Sequence, residues 1–387
     1  MKVVFERCRI VSPSYDIADG YVVVEDGVVV GVGSGRFDGY ADERVDLEGL
    51  TLLPGFVDTH THGVGGFDIT ASPLLETVIE IARRFVKYGV TGFLPTTVSA
   101  PHETIVRACR AVREASKLWK PSIGSRILGI HLEGPYISRE VAGAQNTEFV
   151  RHPSVEEFKV YYEESGGLLK QITIAPELPG AAKLIEFAKG LGVTVSAGHT
   201  DAGYEVGLEA VRLGVSKATH LFNGMRRFHH RDPGIALALI QSPNVYLEII
   251  ADFIHLHPAV VKMVVDYATP RRIVLVTDSI AATGLGDGVY NLSGLEVVVE
   301  RGVCRLAKTG GLAGSTLTMD KAFRNIVSLG YTLREASMMA SYNPAKSIRL
   351  GINIGDIAPG YRADFAVVDD RLEVVKTVID GEIVYER

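Results

Sequence analysis

The sequence lacks the features that mark several large classes of protein. No uninterrupted apolar run reaches the ~18 residues that a membrane-spanning helix needs. The three cysteines, Cys8, Cys109 and Cys304, lie far apart without a C-x-x-C pair, so we expect packing residues rather than a disulfide framework. The net charge of −6 comes without a basic block, which argues against nucleic acid as a partner. We therefore expect a small-molecule substrate and no membrane association.

The first residues also lack the pattern of a secretory peptide. Glu6 and Arg7 stand where such a peptide would carry an apolar stretch, and we expect a cytoplasmic protein. Apolar residues make up 47% and charged residues 22% of the 387, a globular composition. An α/β barrel of roughly 250 residues with a smaller module would account for this length.

Both ends of the chain have the pattern of small antiparallel sheets. Residues 1–50 alternate valines with turn residues, and Asp26-Gly27 is a strong hairpin signal. Residues 353–387 have the same character, with a second Asp-Gly pair at Asp380. Each segment is too small to be stable alone, so we predict that the two pack together as one discontinuous β-sandwich domain.

Residues 51–352, between these ends, alternate short apolar strands with longer helical stretches, which indicates a parallel sheet. The predicted helices cover 74–88, 104–119, 181–190 and 258–268. The predicted strands end near His62, Thr97, Glu133, Glu177, His199, Asn223, His255 and Asp278. Eight strands predict a closed (β/α)8 TIM barrel, with residues 286–308 as a β insertion.

Two histidines close the first predicted barrel strand. The apolar run 51–58 reads as one buried strand, and His60 and His62 follow it. Alternate residues of an extended strand project to the same side, so both imidazoles can reach one cation. Because H-x-H also occurs by chance in strands, this pair alone does not establish a metal site.

Polar side chains end four later strands as well. Glu133 ends the third strand, His199 the fifth, His220 the sixth and Asp278 the eighth. The carboxyl ends of barrel strands converge on one mouth, and imidazoles with a carboxylate suit one divalent transition metal or two bridged ions. Each residue alone has an ordinary explanation, such as a helix cap for Asp278. Their recurrence at five strand ends favours a metal centre.

Short motifs follow one another in order from about residue 50 to the C-terminus. They are 54–62 (PGFVDTHTH), 131–136 (HLEGPY), 196–200 (SAGHT), 219–225 (THLFNGM), 229–234 (HHRDPG), 276–279 (VTDS), 312–315 (LAGS) and 360–364 (GYRAD). The first and last resemble the amidohydrolase superfamily. Within it, the other motifs resemble the N-acetylglucosamine-6-phosphate deacetylases.

The resemblance implies a divalent metal centre. Glu133, His199 and His220 would hold the principal metal, and His60 and His62 would hold a second, with Glu133 as the bridge. Some deacetylases of this family lack the H-x-H pair and work with one metal. This chain keeps the pair, so one or two ions of zinc, iron, manganese or cobalt are implied for each subunit.

The resemblance also implies the reaction, which is hydrolysis of the acetamide of N-acetyl-D-glucosamine 6-phosphate to D-glucosamine 6-phosphate and acetate. Asp278 would take a proton from metal-bound water and return it to the departing amine. Arg231 would contact the phosphate, because guanidinium suits bidentate phosphate recognition. In the family this contact can come from the second subunit, which implies a homodimer. The other implied substrate-binding residues are Gln145, Asn223, Gly224, His255, Leu312 and Ala313, with the last two as the wall around the acetyl methyl group.

Three positions depart from the family pattern. Phe253 stands where relatives place glycine, Gln145 where many place a substrate-binding histidine, and Gly224 where alanine is common. These positions concern the fit of sugar and phosphate rather than the metal or the base. The preferred N-acetyl amino sugar therefore stays open, with N-acetylgalactosamine 6-phosphate as the alternative.

Readings outside the deacetylases fit the residues less well. Cyclic-amide hydrolases of the superfamily commonly bridge two metals with a carboxylated lysine on strand four, and residues 171–177 offer none at the strand tip. A non-catalytic scaffold should have lost ligands or the base, which this chain retains. A phosphate-binding isomerase barrel has no use for four histidines at strand tips.

Overall fold

The computed structural model describes residues 1–387, and its first strands form a small sheet. These strands are β1 (Lys2–Val11), β2 (Asp16–Glu25), β3 (Val28–Ser34), β4 (Glu43–Asp46) and β5 (Thr51–Pro54). β1 pairs antiparallel with β2, and β2 pairs antiparallel with β3. The turn between β2 and β3 is the predicted Asp26-Gly27 pair, in which both residues have positive φ, +49° and +78°. Two positive φ angles are the geometry of a tight hairpin turn.

A parallel barrel follows. Its strands, with a short hairpin after the first, are β6 (Phe56–Thr61), β7 (Gly63–Val64), β8 (Phe67–Asp68), β9 (Val90–Thr97), β10 (Arg126–Ile127), β11 (Ile130–Glu133), β12 (Leu169–Ile174), β13 (Thr194–Ala197), β14 (Val215–Ala218), β15 (Tyr246–Ile250) and β16 (Ile273–Val276). β10 and β11 form one interrupted barrel strand beside β9. The barrel closes where the Asp278 N–H donates to the His60 carbonyl at 2.9 Å. The predicted eight-stranded barrel is confirmed.

Helices surround the barrel. They are α1 (Leu75–Phe85), α2 (His102–Leu118), α3 (Val155–Glu164), α4 (Ala181–Gly190), α5 (Tyr204–Leu213), α6 (Gly234–Gln241), α7 (Pro258–Ala268), α8 (Met319–Ser328), α9 (Leu333–Ser337) and α10 (Asn343–Ser347). Local signals start two of them: the Ser154 hydroxyl accepts from the Glu157 N–H before α3, and Thr332 with Glu335 forms a capping box before α9. No helix is both long and apolar enough to cross a membrane.

The predicted β insertion is an antiparallel sheet of three strands near the barrel mouth. It contains β17 (Gly288–Leu292), β18 (Leu295–Glu300) and β19 (Val303–Leu306). Inward-facing Leu292, Val297 and Cys304 form a small core with Ala313. Ser293, in the turn after β17, donates to both carboxylate oxygens of Asp68 at 3.2 and 3.3 Å. These hydrogen bonds fasten the insertion to the loop that follows the first barrel strand.

The C-terminal strands return to the N-terminal sheet. β20 (Phe365–Val368) pairs antiparallel with β5, and β21 (Val374–Ile379) and β22 (Glu382–Glu386) extend the same sheet. The predicted discontinuous β domain built from both termini is thus present. The prediction of one strand over 51–58 is wrong, because the chain passes from this sheet into the barrel at Gly55. There a Cβ would lie only 2.2 Å from the Thr91 hydroxyl. We therefore propose a first domain boundary at Gly55, and the other domain limits stay predictions.

Candidate metal centre

Six side chains from five barrel strands meet at the carboxyl end of the barrel. His60 lies in β6, Glu133 ends β11, and the other members follow strands by one or two residues: His62, His199, His220 and Asp278. Glu133 Oε1 lies 3.2 Å from His199 Nε2, 3.0 Å from His220 Nε2 and 3.3 Å from His60 Nε2. Glu133 Oε2 lies 3.3 Å from His62 Nε2. The carboxylate of Glu133 is the centre of the group.

The backbone at three of these strand tips is left-handed. His199, His220 and Asp278 have φ angles of +45°, +31° and +50°. Side chains other than glycine adopt this region rarely, although Asp, Asn and His do so most readily. These left-handed residues follow the ends of β13, β14 and β16, at the points where the side chains of His199, His220 and Asp278 join the group. Backbone strain at such positions is typical of functional sites.

The ring orientation of each histidine is fixed through Nδ1. His62 Nδ1 donates to the Thr96 carbonyl at 3.0 Å, His199 Nδ1 to the Val141 carbonyl at 3.1 Å, and His220 Nδ1 to the Asn223 carbonyl at 3.0 Å. The fourth ring, His60, donates from Nδ1 to the carboxylate of Glu248 at 3.1 Å. Since carbonyls and carboxylates only accept, Nδ1 carries the proton in all four rings. The lone pair on each neutral ring is therefore on Nε2, which faces Glu133.

This donor set fits a divalent transition metal. Two groups of ligand atoms lie within 4.8 Å of one another, His60 with His62 and Glu133, and His199 with His220 and Glu133. His60 Nε2 is buried and makes no hydrogen bond, and His199 Nε2 lies only 3.1 Å from His220 Nε2. Facing lone pairs at that distance repel unless a proton or a cation lies between them. Neutral imidazole nitrogens with a carboxylate are ligands that zinc, iron and cobalt accept.

The electrostatics of the group favour positive charge. Burial alone would lower the pKa of His62, but hydrogen bonds to Asp278 and Glu133 outweigh it and raise the pKa to about 10. For Asp278, burial would raise the pKa, yet His60 and His62 hold it below its ordinary value. Asp278 is therefore ionised at neutral pH. A bound cation would replace protons on these rings, because metal ligands must be deprotonated.

A small polar cavity, the mouth cavity, opens onto this centre. Its volume is about 180 Å³. Its lining contains the candidate metal ligands His62, Glu133, His199 and His220 together with Asp278, Val98, Gly143, Ala144, Gln145, Asn223, Gly224, His255, Leu292, Leu312 and Gly314. The space is limited by the metal ligands on one side and by the β insertion on the other. A small polar molecule that enters it meets Asp278 and the ligands together.

The structure places most of the predicted substrate-binding residues on this cavity. Gln145 is held at both ends, accepting from the Ser99 N–H at 2.6 Å and donating to Glu133 Oε2 at 2.8 Å. His255 donates from Nδ1 to Asp252 at 2.7 Å, which leaves Nε2 for a ligand. Gly224 has φ +57°, and a Cβ there would lie 2.8 Å from His199 Nδ1. Glycine at this position avoids both the strain of a positive φ and this close contact.

Three other residues differ from expectation in their surroundings: Asn223, Ala313 and Phe253. The Asn223 amide folds back onto the carbonyls of His220 and Leu221. Leu312 lines the cavity, whereas Ala313 is fully buried behind it and does not. Phe253, with φ +64°, lines neither this cavity nor the larger apolar depression beside it. A left-handed φ angle is rare for a bulky residue such as Phe253.

Arg231 lies outside the mouth cavity. It is exposed on the loop between β14 and α6, where its Nη1 donates to His230 Nε2 at 2.8 Å. Beside this loop is a larger apolar depression of about 530 Å³, which we call the lateral groove. Phe228, Met263 and Tyr267 line the groove and are 55%, 56% and 60% exposed. His255 borders both the mouth cavity and the groove.

The sequence analysis missed a set of charged and polar residues beneath the ligands. Glu248, Lys217, Gln171 and His131 are all fully buried inside the barrel. Glu248 and Lys217 each interrupt an apolar barrel strand, β15 and β14. A charged residue within a buried strand rarely occurs without a partner, and that signal could have identified both.

Comparisons with known proteins agree with this arrangement. The chain matches the amidohydrolase family over residues 51–384. The N-acetylglucosamine-6-phosphate deacetylase of Lysinibacillus sphaericus is 38% identical over 343 residues, covering 88% of this chain and 87% of the relative. The N-acetylgalactosamine-6-phosphate deacetylase of Escherichia coli O157:H7 is 35% identical over 368 residues, covering 95% and 93%. A solved Mycobacterium smegmatis N-acetyl-D-glucosamine-6-phosphate deacetylase mutant, in complex with N-acetyl-D-glucosamine-6-phosphate, has a TM-score of 0.92 and 33% identity, with 99% of both chains covered.

Proposed function

The chain belongs to the amidohydrolase family, and from that membership we propose that it hydrolyses the acetamide of N-acetyl-D-glucosamine 6-phosphate to D-glucosamine 6-phosphate and acetate. The observation that carries the proposal is the position of Asp278. Its Oδ1 lies 3.1 Å from His62 Nε2 and 3.4 Å from His60 Nε2, at the edge of the metal ligands and on the wall of the mouth cavity. An ionised carboxylate there can act as the base of a hydrolysis.

The chain's own residues supply the proton transfers. Asp278 takes one proton from the attacking water, whose oxygen adds to the acetamide carbonyl carbon. When the C–N bond breaks, Asp278 returns that proton to the amine nitrogen. His255 lines the cavity with its Nδ1 fixed by Asp252, so we assign it a contact to a substrate oxygen. Gln145 keeps Glu133 in place and forms part of the wall around the substrate.

The ligand set supports one or two divalent ions in each subunit. Glu133, His199 and His220 would hold the principal ion, and His60 and His62 would share Glu133 with a second. When bound, the metal lowers the pKa of water and polarises the amide carbonyl. Zinc, iron, manganese and cobalt are the candidates, because imidazole with carboxylate suits this class of ion.

Phosphate recognition and a homodimer form one linked proposal. Arg231 is exposed and lies outside the mouth cavity of its own subunit. The lateral groove beside it presents exposed Phe228, Met263 and Tyr267, and exposed apolar patches commonly mark interfaces. We propose that a second copy of the chain covers this groove and that Arg231 contacts the substrate phosphate at the interface. Dimer formation and phosphate recognition would both take place in the cytoplasm.

The experiment that tests the function is acetate release by purified protein reconstituted with a divalent metal. The substrates are N-acetylglucosamine 6-phosphate, unphosphorylated N-acetylglucosamine and N-acetylgalactosamine 6-phosphate. Fast turnover of the first alone is the expected result. Turnover of only the unphosphorylated sugar, or of none of the three, would contradict the proposal.

The second candidate is deacetylation of N-acetylgalactosamine 6-phosphate. It is favoured by the E. coli relative, which covers the chain as fully as the glucosamine enzymes do. The two sugars differ in the configuration of one hydroxyl, so one or two contacts separate the two activities. The ratio of kcat/KM for the two phosphorylated sugars decides between them.

A further inference from the structure

A cluster of polar side chains lies inside the barrel beneath the metal centre, and the proposed reaction does not use it. We call it the core polar cluster, and it consists of Thr59, His131, Gln171, Lys217 and Glu248. All five are fully buried. The cluster contains a complete ion pair, since Lys217 Nζ lies 2.8 Å from Glu248 Oε1. Burying both charges is expensive in free energy, and replacing such a pair with apolar side chains is often neutral or stabilising. The pair therefore calls for a role other than stability.

Lys217 is fully engaged within the cluster. Its ammonium has three donors, and each has an acceptor at 2.8 Å: Thr59 Oγ1, Gln171 Oε1 and Glu248 Oε1. Lys217 therefore acts as a fixed positive charge rather than as a nucleophile or a bridging ligand.

Glu248 joins that charge to a metal ligand. Its Oε1 accepts from Lys217 and from Gln171 Nε2, the latter at 2.9 Å. Its Oε2 accepts from His60 Nδ1 at 3.1 Å and, more distantly, from the backbone N–H of His220 at 3.3 Å. Two donors on one oxygen and two on the other leave the carboxylate little freedom to move.

The four candidate ligand histidines differ in the group that orients each ring. The rings of His62, His199 and His220 are oriented by backbone carbonyls, and His60 alone is oriented by a charged side chain. A carboxylate on Nδ1–H fixes both the tautomer and the ring orientation, and it makes Nε2 a stronger donor to a metal. The Nε2 atom of His60 faces Glu133 and Asp278 without a hydrogen bond of its own.

We propose that Lys217 and Glu248 are positioning residues that set the metal affinity of the group formed by His60, His62 and Glu133. The inference rests on the proposed function, because it requires a metal at that group. Lys217 keeps the Glu248 carboxylate in place, and Glu248 holds the His60 ring for the ion. Partners of this kind are worth about 10- to 100-fold in metal affinity.

The experiment measures metal binding rather than turnover. Metal-free protein is titrated with Zn²⁺ against a chromophoric chelator, which gives a dissociation constant for each equivalent bound. A His60→Ala variant identifies the constant that belongs to the His60 group. In a Lys217→Met, Glu248→Leu double variant we expect that constant to weaken about 10- to 100-fold. We expect the other constant to change less than about threefold, since the Glu248 contact to His220 is only to the backbone.

A partial rescue and a matched control separate positioning from stability. In a Lys217→Met, Glu248→Gln variant the amide oxygen can still accept from His60 Nδ1, so the affinity should be intermediate. Arg126→Met removes another largely buried cation, paired with Asp364 and Asp380 between the barrel and the small sheet. It should lower the melting temperature and leave both zinc constants unchanged.

Each other result has a definite meaning. If the double variant folds and binds both equivalents like the wild type, or loses both affinities equally, the inference is wrong. Wild-type protein that binds one equivalent, unaffected by His60→Ala, would overturn the inference while leaving a one-metal deacetylase intact. Wild-type protein that binds no divalent metal would overturn the proposed function and this inference with it.

Discussion

Two depressions share His255 at the mouth of the barrel, and they differ in size and in chemistry. The mouth cavity holds about 180 Å³, and its polar lining consists of imidazoles, carboxylates and two amides. The lateral groove holds about 530 Å³ and is lined mainly by Phe228, Met263, Tyr267 and aliphatic side chains. The larger depression has no group of metal ligands, so volume alone does not identify the site of chemistry. The mouth cavity is suited to hydrolysis of a small polar substrate, and the lateral groove is suited to being covered by another protein surface.

Removing the metal should have the largest effect on the mouth cavity. Dialysis against a chelator should abolish acetate release, because the water then lacks its activating ion. Added zinc or cobalt should restore it. The lateral groove contains no ligand group, so the sedimentation coefficient should stay the same throughout. Full activity in protein shown to be metal-free by elemental analysis would contradict the metal centre.

Replacing the base should have the next largest effect. Asp278→Asn removes the proton acceptor while keeping the size of the side chain, and kcat should fall by about 10³-fold. Metal content should remain near that of the wild type, because four histidines and Glu133 are untouched. Asp266→Asn, at an exposed carboxylate on α7, is the control and should stay within about twofold. A similar kcat for Asp278→Asn and the wild type would exclude Asp278 as the base.

The arginine beside the groove should affect binding rather than catalysis. Arg231→Met should raise KM for the phosphorylated sugar by about 10- to 100-fold, the value of a charged hydrogen bond. The kinetics for the unphosphorylated sugar should not change. Arg227→Met, at another exposed arginine of the same loop, is the matched control. An equal rise in KM for both variants would assign the effect to the charge of the loop, not to Arg231.

Disrupting the groove should separate subunits without altering the metal centre. Phe228→Ser with Met263→Ser should raise the dimer dissociation constant by about 100-fold, since two large side chains lose their burial. Sedimentation velocity over a concentration series measures it. Leu118→Ser, at a leucine 59% exposed at the end of α2, is the matched control and should leave the dimer unchanged. A wild-type protein that is monomeric at all concentrations would disprove the proposed interface.

The pair of His255 and Asp252, which lies where the two depressions meet, should give the smallest effect. Burial would lower the pKa of His255, but the hydrogen bond and charge of Asp252 raise it. The pKa of Asp252 is lowered by His255 against the effect of burial. The contribution of His255 to folding stability is therefore complete below pH 6.5, and it is lost as the pH rises through the raised pKa of His255. The contribution of Asp252 to folding stability is present above pH 3.8, and it is lost as the pH falls through the lowered pKa of Asp252.

The measurement is urea unfolding of His255→Asn and the wild type across pH. At about pH 5.5 the variant should be less stable by about 2 kcal/mol, the value of a charged hydrogen bond. The difference should shrink toward pH 9. A difference that is constant with pH would mean that packing, not the ion pair, accounts for the loss.

Much of the fold, and the meeting of the candidate metal ligands at the barrel mouth, could be predicted from the sequence because both depend on local pattern. The strand tips at His60, Glu133 and His220 stand out where apolar runs end in polar residues. The core polar cluster did not, because nothing in the spacing of Lys217 and Glu248 shows that their side chains meet inside the barrel on the neighbouring strands β14 and β15. The break at Gly55 was also missed, since both of its flanking strands are apolar and buried.

The position of Arg231 illustrates a different limit. The motif implied a phosphate contact for Arg231, which could come from a second subunit, but the structure was needed to show that this side chain lies outside the mouth cavity of its own chain. Likewise, only the structure shows that Phe253 and Gly224 both have positive φ angles. Residue identity therefore predicted which side chains meet at the barrel mouth better than it predicted the contacts of the residues around them.

The pairing of β5 with β20 has a consequence for how the protein is made. The two strands come from nearly opposite ends of the chain. The ribosome therefore releases β1 to β5 long before β20 is synthesised. The edge of β5 that pairs with β20 stays unpaired while the whole barrel is made. Contacts this distant in sequence form slowly, and an unpaired strand edge invites aggregation. A protein truncated just before β20 should accumulate as aggregate rather than as soluble barrel.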